Sequence, residues 1–251
     1  MAKKIITFDL DDTLCVAKSP MPERISELME TLLGNYEVCV ISGGNLTQFK
    51  IQILDQLDVS AEKLTRLHLM PTCGTQYYRY NVEQQDWDQK YANNLTDEQK
   101  ERATNALMES ANKLGYWEEN PYGEVIEDRG SQVTLSALGQ QAPAEAKYAW
   151  DPTGEKKLAI RNAVAPLVPD LDARAGGTTS VDVTLKGVDK AYGMKHLIEA
   201  TGVTMDEILF IGDKLEQGGN DYPVKAMGID SIAVEKWQDT ALVIETLNKI
   251  A

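Results

Sequence analysis

An α/β fold built on a parallel sheet, with an inserted α+β module, is the architecture this 251-residue chain predicts. Two observations carry the first part. A β-α-β-α-β alternation occupies the N-terminal third and resumes near the C-terminus, and the first apolar run ends in a knot of carboxylates. The intervening block, strand pairs each next to a helix, predicts the insertion. The expected organisation is core 1–81, α+β module 82–186 and core 187–251.

Taken in order, Ile5–Ile6–Thr7–Phe8 is rich in β-branched and aromatic residues, as a strand buried on both faces should be. Pro22 suits the first turn of a helix that Gly34 stops. Residues 37–42 read as a second strand closed by Gly43–Gly44, 46–57 as a helix and 66–70 as a third strand. Such alternation implies right-handed crossovers and parallel pairing. Residues 77–88 are polar, aromatic and hairpin-like. Thr96 and Gln99 form a capping box for a helix running to about Leu114, where Gly115 ends it. Strands follow at 124–128 and 132–138, then a loop over 140–149 leading into a helix near 155–165 that Pro166 stops. Strands at 171–175 and 179–184 close the module. A helix over 190–200, a strand at 208–211, a loop from Gly212 to Asp221, a short helix, a strand at 231–234 and a helix to about Ile250 complete the core.

Composition narrows the functional classes. A net charge of −14 argues against nucleic acid and anionic membrane surfaces, both of which want basic patches. No apolar stretch is long enough for a membrane helix, and only four largely apolar residues separate Lys4 from Asp9, too few for a signal-peptide core. A soluble cytoplasmic protein is expected. Cys15, Cys39 and Cys73 lack metal-ligand spacing, and Cys15 reads as packing rather than as a nucleophile. His68 and His196, the only histidines, read as structural.

Three acids within four residues (Asp9, Asp11, Asp12) repel one another, and a bound cation relieves repulsion of that kind. They follow the first strand, where open α/β sheets bind ligands. Three further elements stand at core strand ends or helix starts: Ser42 with Gly43–Gly44, Lys190, and Asp213 with Asn220–Asp221. Each alone is an ordinary turn or surface residue. Together they suit the handling of a phosphoryl group, with Asp9, the Asp11 carbonyl and Asp213 as oxygen donors for Mg²⁺.

In order and spacing these elements resemble the four motifs of the haloacid-dehalogenase-like phosphotransferases. The resemblance narrows to the eukaryotic-type phosphomannomutase branch through Gly212–Asp213–Lys214 with Gly218–Gly219–Asn220–Asp221, through Gly176–Gly177 to Val183, and through Glu127–Asp128–Arg129–Gly130. It implies a Rossmann-like core carrying a large α+β cap. It also implies Asp9 as the nucleophile that becomes an aspartyl-phosphate, already ionised at an ordinary pKa near 3.9. Asp11 would be the general acid/base, Ser42, Gly43, Lys190 and Asn220 would hold phosphoryl oxygens, and Mg²⁺ would engage Asp9, Asp11, Asp213 and Asp221. Cap residues Arg129, Lys147, Ser180 and Asp182, with Lys18, would bind the substrate, a small phosphosugar. The branch pairs its caps, so a homodimer through the cap is implied.

The branch holds a second phosphate with an arginine cluster, because arginine grips phosphate bidentately. Only Arg129 of that cluster remains; Lys18, Gln140 and Lys147 stand at the other positions. Charged hydrogen bonds contribute about 1.5–3 kcal/mol each, so the distal grip is weakened. This favours a sugar-phosphate phosphatase, with a phosphomannomutase interconverting hexose 1- and 6-phosphates as the alternative. A non-catalytic phosphosugar-binding protein is a second alternative.

Overall fold

Apolar runs of four and five residues become strands buried on both faces: β1 (Ile5–Phe8), β2 (Glu37–Ile41) and β3 (Leu67–Met70), with α1 (Glu23–Asn35), α2 (Leu46–Gln52) and α3 (Ala61–Leu64) between them. A hairpin of β4 (Gln76–Asn81) and β5 (Asp86–Ala92) follows. The next segment holds α4 (Asp97–Lys113), β6 (Ile126–Asp128), β7 (Gln132–Ser136), α5 (Ala144–Trp150), α6 (Glu155–Val164), β8 (Leu171–Ala175) and β9 (Ser180–Leu185). The chain ends with α7 (Lys190–Thr201), β10 (Ile208–Gly212), α8 (Tyr222–Ala226), β11 (Asp230–Ala233) and α9 (Trp237–Ile250). These elements come from a computed structural model that describes residues 2–251.

The larger sheet runs β11-β10-β1-β2-β3-β4-β5. Its first five strands pair in parallel, β4 pairs antiparallel to β3, and β5 pairs antiparallel to β4. The side-chain alternation of a strand divides its core between two faces. Ile6, Phe8, Val38, Val40, Leu209 and Ile211 pack with Ile25 and Met29 of α1 and Ile244 of α9. Ile5, Cys39, Ile41 and Phe210 pack instead with Met194 and Leu197 of α7 and Val224 of α8. β1 lies between β2 and β10, so the chain leaves β1 on one side and returns on the other. The carboxyl ends of β1 and β10 therefore flank a topological switch point, the place where such sheets bind ligands.

Two compact units result: the segment up to Ala92 together with Asp189–Ala251, and Asn93–Val188. The expected boundaries at 82 and 186 differ from these. Residues 86–92 pair with β4 from Gln76↔Ala92 to Asn81↔Asp86 and so extend the core sheet. In the inserted unit a second sheet runs β6-β7-β9-β8, all antiparallel. Val133, Leu135, Val181 and Val183 pack there with Leu107 of α4 and Ile160 of α6.

Two local expectations are also corrected. The helix expected over 46–57 stops at Gln52, because Ile53 has a stretched backbone (φ −119°, ψ −61°) and residues 54–56 tighten into a 3₁₀ turn. The Gln52 carbonyl is thereby turned toward the Met21 N–H, 2.8 Å away. Residues 144–150, expected as loop, form α5 behind Pro143.

His68 is fully buried, as a structural histidine should be. Its Nδ1 lies 2.8 Å from the Tyr77 hydroxyl, its Nε2 lies 2.9 Å from Glu37 Oε2, and the Arg79 guanidinium lies against the ring. Burial lowers its pKa below the usual histidine value, with the Glu37 hydrogen bond pulling the other way. The unfolded chain then binds the proton more readily than the folded one. Stability from this group is present above about pH 6.5 and falls as the pH drops from there through the lowered folded pKa. Urea midpoints should decline across that window in the wild type, and His68→Gln should remove that component. An unchanged slope in the variant would refute it.

Candidate active site

The site grows from strand ends. The Asp9 N–H still pairs with the Ile211 carbonyl at 2.9 Å, so Asp9 continues the line of β1 as its side chain becomes buried at the sheet edge. Asp12 then takes a left-handed turn, φ 62°. Ser42 follows β2, buried, and its Oγ accepts the Gly44 N–H at 3.2 Å. Asn45 and Gln48 close a capping box on α2. Lys190 opens α7 directly after Asp189, whose carboxylate accepts the Tyr192 N–H at 3.0 Å. Asp213 follows β10 and Asp221 precedes α8.

α7 is seated by close backbone contact. Residues 72–74 are three consecutive left-handed residues, and the Cα atoms of Gly74 and Gly193 meet without intervening side chains. A Cβ on Gly193 would lie 2.5 Å from Ile41 Cδ1 and 2.7 Å from the Cys73 carbonyl oxygen. One turn upstream, Lys190 is thereby aimed into the sheet edge.

Only 1% exposed, Lys190 places its ammonium against Asp9 Oδ1 and 2.5 Å from Asp221 Oδ1. Asp221 Oδ2 accepts the Lys214 N–H at 3.1 Å. A side chain at Gly212 would collide with that carboxylate, its Cβ only 2.4 Å from Oδ2. Lys214 Nζ lies 2.9 Å from Asp213 Oδ2. Burial on its own would lower the Lys190 pKa, but the coulombic pull of Asp221 and Asp9 overrides it and holds the ammonium charged. For Asp9, burial pushes the pKa well above the ordinary carboxyl value. Lys190 opposes that rise, while Asp221 and Asp213 add to it. The expectation that Asp9 is ionised unaided is thus corrected: a buried carboxylate beside two others depends on nearby cations.

Carboxylate oxygens of Asp9, Asp213 and Asp221 lie within 4.8 Å of one another, the one such acidic group among the described residues. Asp213 Oδ1 and Asn220 Oδ1 are buried and have no hydrogen-bond partner among those residues. Orphaned hard oxygen donors beside an excess of negative charge fit Mg²⁺. Asp9 and Asp213 each give one oxygen to a lysine and keep the other. Asp221 is engaged at both oxygens, by Lys190 and the Lys214 amide, so it serves chiefly to hold Lys190. The Asp11 side chain stands apart from this group: its Oδ1 accepts the Lys18 N–H at 2.8 Å and Gln52 Nε2 at 2.9 Å. Its backbone carbonyl remains the donor expected for a metal.

The inserted unit carries the other expected residues. On its sheet the alternation opposite the apolar face brings Gln132, Thr134 and Ser136 of β7 beside Ser180, Asp182 and Thr184 of β9. Asp182 Oδ1 accepts from Thr134 Oγ1 at 2.8 Å. Arg129 Nε pairs with Glu127 Oε2 at 2.7 Å, both largely buried. Lys147, on α5, is buried and donates to the Gln140 carbonyl at 3.3 Å.

Two polar groups at the site had no assigned role in the sequence. Lys214 lies within a motif but was visible only as its spacer. Gln52 falls inside the residues read as a continuous helix, and nothing in its neighbourhood marks it. The Cys15 thiol is buried and pushed upward in pKa, chiefly by desolvation, which makes it packing.

The family model described as eukaryotic phosphomannomutase matches residues 25–249. A phosphomannomutase from Encephalitozoon cuniculi (strain GB-M1) is 26% identical over 257 residues, covering 99% of this chain and 95% of that protein. One from Saccharomyces cerevisiae (strain ATCC 204508 / S288c) is 26% identical over 230 residues, covering 88% and 84%. Among solved structures, a Plasmodium falciparum IMP-nucleotidase superposes with a TM-score of 0.71 at 14% identity, covering all of this chain and 68% of that one. A haloacid dehalogenase-like hydrolase from Bacteroides thetaiotaomicron gives 0.63 at 17%, covering 98% and 99%. These two likenesses speak to the fold.

Proposed function

This chain belongs to the eukaryotic phosphomannomutase family, and from that premise we propose that it moves a phosphoryl group between positions of a hexose phosphate by way of Asp9. It is an enzyme of the haloacid-dehalogenase phosphotransferase class. The observation that carries the proposal is the convergence of Asp9, Lys190, Asp213 and Asp221 at the switch point of the sheet.

Asp9 attacks phosphorus, Lys190 and Ser42 with the Gly43 amide hold the phosphoryl oxygens, and Asp11 handles the proton of the leaving or accepting oxygen. Asp213, Asp9 and the Asp11 carbonyl would hold Mg²⁺, with Asn220 beside them. The ion supplies positive charge that offsets the clustered carboxylates and the transferring phosphoryl group. Arg129, Lys147, Ser180 and Asp182 of the inserted unit, with Lys18, bind the rest of the sugar phosphate.

The phosphatase expected from the sequence becomes the second reading, because the relatives, matched over 88–99% of this chain, are named as mutases. One observation still favours it: Arg129 is already ion-paired to Glu127, and Gln140 offers no charge. Mannose 1-phosphate with Mg²⁺ and a catalytic amount of a hexose bisphosphate, followed by ³¹P NMR, separates the two. Mannose 6-phosphate should accumulate; inorganic phosphate released in step with substrate loss would instead make the protein a hydrolase. Turnover of an aryl phosphate with neither mannose product would refute the substrate and leave the chemistry.

A homodimer through the inserted unit is part of this reading, supported by exposed Met108, Leu114 and Leu158 on or beside its helices; light scattering would show it. Cytoplasmic residence is supported by three cysteines with no disulfide between them, as in reducing compartments. Among the described residues no helix is long and apolar enough to cross a membrane.

A further inference from the structure

We propose that Gln52 is a positioning residue that decides which oxygen of Asp11 carries the transferred proton, leaving Oδ2 as the working atom. The proposal rests on the reading of Asp11 as general acid/base and adds a residue and an atom to it.

Both hydrogen bonds to the Asp11 carboxyl fall on one oxygen. Oδ1 accepts the Lys18 backbone N–H at 2.8 Å and the Gln52 side-chain amide at 2.9 Å. Oδ2 has no hydrogen-bond partner among the described residues. A carboxylate only accepts, so the Gln52 amide must present its nitrogen here. The second contact of that nitrogen agrees: Cys15 Sγ lies 3.3 Å away and itself donates toward the Leu10 carbonyl, leaving the sulfur to accept. Gln52 is 2% exposed. Its backbone is held as well, because its carbonyl receives the Met21 N–H at 2.8 Å. One residue at the end of α2 thus grips the loop following β1 at both ends.

The consequence is a fixed division of labour within one carboxyl group. A neutral carboxylic acid has one hydroxyl oxygen and one carbonyl oxygen, and two donors aimed at Oδ1 make that the carbonyl. As an Asp9 oxygen bonds to phosphorus, the bond from phosphorus to the leaving oxygen breaks, and that oxygen's electron pair takes the proton from Asp11 Oδ2. In the second half, Oδ2 takes the proton of the accepting hydroxyl as its oxygen bonds to phosphorus and the bond from Asp9 to phosphorus breaks, releasing the carboxylate. Atoms and charge balance across the cycle without a further reactant. Without Gln52 the carboxyl can rotate, and the proton is no longer aimed.

Aryl phosphates with graded leaving groups test this independently of the sugar. Nitrophenolate leaves without a proton, whereas phenolate benefits from one. Relative to wild type, Gln52→Met should slow single-turnover release of phenol from phenyl phosphate, which reads the first half alone, by about 10–100-fold, while single-turnover release of nitrophenolate changes by no more than about threefold. The readout is the ratio of the two rates within one preparation, so partial misfolding does not move it; Gln52→Asn gives a second, polar variant. Equal losses on both esters, or no loss on either, would overturn the proposal. Asp11→Asn is the control: it should show a larger leaving-group dependence of the same sign. If Asp11→Asn instead affects both esters alike, the acid/base reading itself fails.

Discussion

Asp9→Asn is expected to lower turnover of any phosphate ester by about 10⁴–10⁶-fold, the scale seen when a covalent nucleophile is removed. The change is isosteric and takes one negative charge out of a buried group that holds three carboxylates and a single buried ammonium, so the fold should be retained. The diagnostic is the acyl phosphate. Hydroxylamine should trap phosphorylated wild-type protein after brief exposure to an aryl phosphate and Mg²⁺, and trap nothing from the variant. Substantial turnover by Asp9→Asn would place the covalent step elsewhere or remove it. Absence of turnover in the wild type, with phosphosugar binding intact, would point to the non-catalytic alternative.

Lys190→Met should be the most damaging single change to stability near the site. Removing one partner of a buried ion pair costs about 3–5 kcal/mol, because the remaining charge is stranded. Here two carboxylates would be stranded at once, Asp9 and Asp221. Asp221→Asn should be milder, since Lys190 keeps Asp9. Combining the two substitutions should cost less than the sum of each alone, which denaturant midpoints would show as a coupling. Strict additivity would mean that the ammonium does not bridge the pair. Mg²⁺ should restore part of the stability of Lys190→Met, because a cation among the same oxygens replaces part of the missing charge.

Much of this site could be read from the chain because its chemistry-bearing residues follow strand ends and helix starts. Asp9, Ser42, Lys190 and Asp213 sit where an α/β sheet presents side chains, and their motifs are local. What escaped detection depends on contacts between distant residues. Gln52 meets Asp11 across 41 residues of chain, and no local pattern marks a glutamine whose partner lies in another loop. The place of β5 depends on its pairing with β4, since its half-exposed, polar sequence suits the edge of either sheet. The upward push on the Asp9 pKa lies outside the sequence for a related reason: the sequence places Asp9 among acids, but only the fold shows how completely it is withdrawn from water.

The meeting of Gly74 with Gly193 has a bearing on how the enzyme can change. The two backbones touch with less clearance than a single methyl group requires, so the helix bearing the lysine rests on a hard stop. Enlarging either glycine would tilt that helix and lift the ammonium from its carboxylates. Adaptation to a new substrate must then come from residues elsewhere, because this joint leaves the reacting end no room for adjustment.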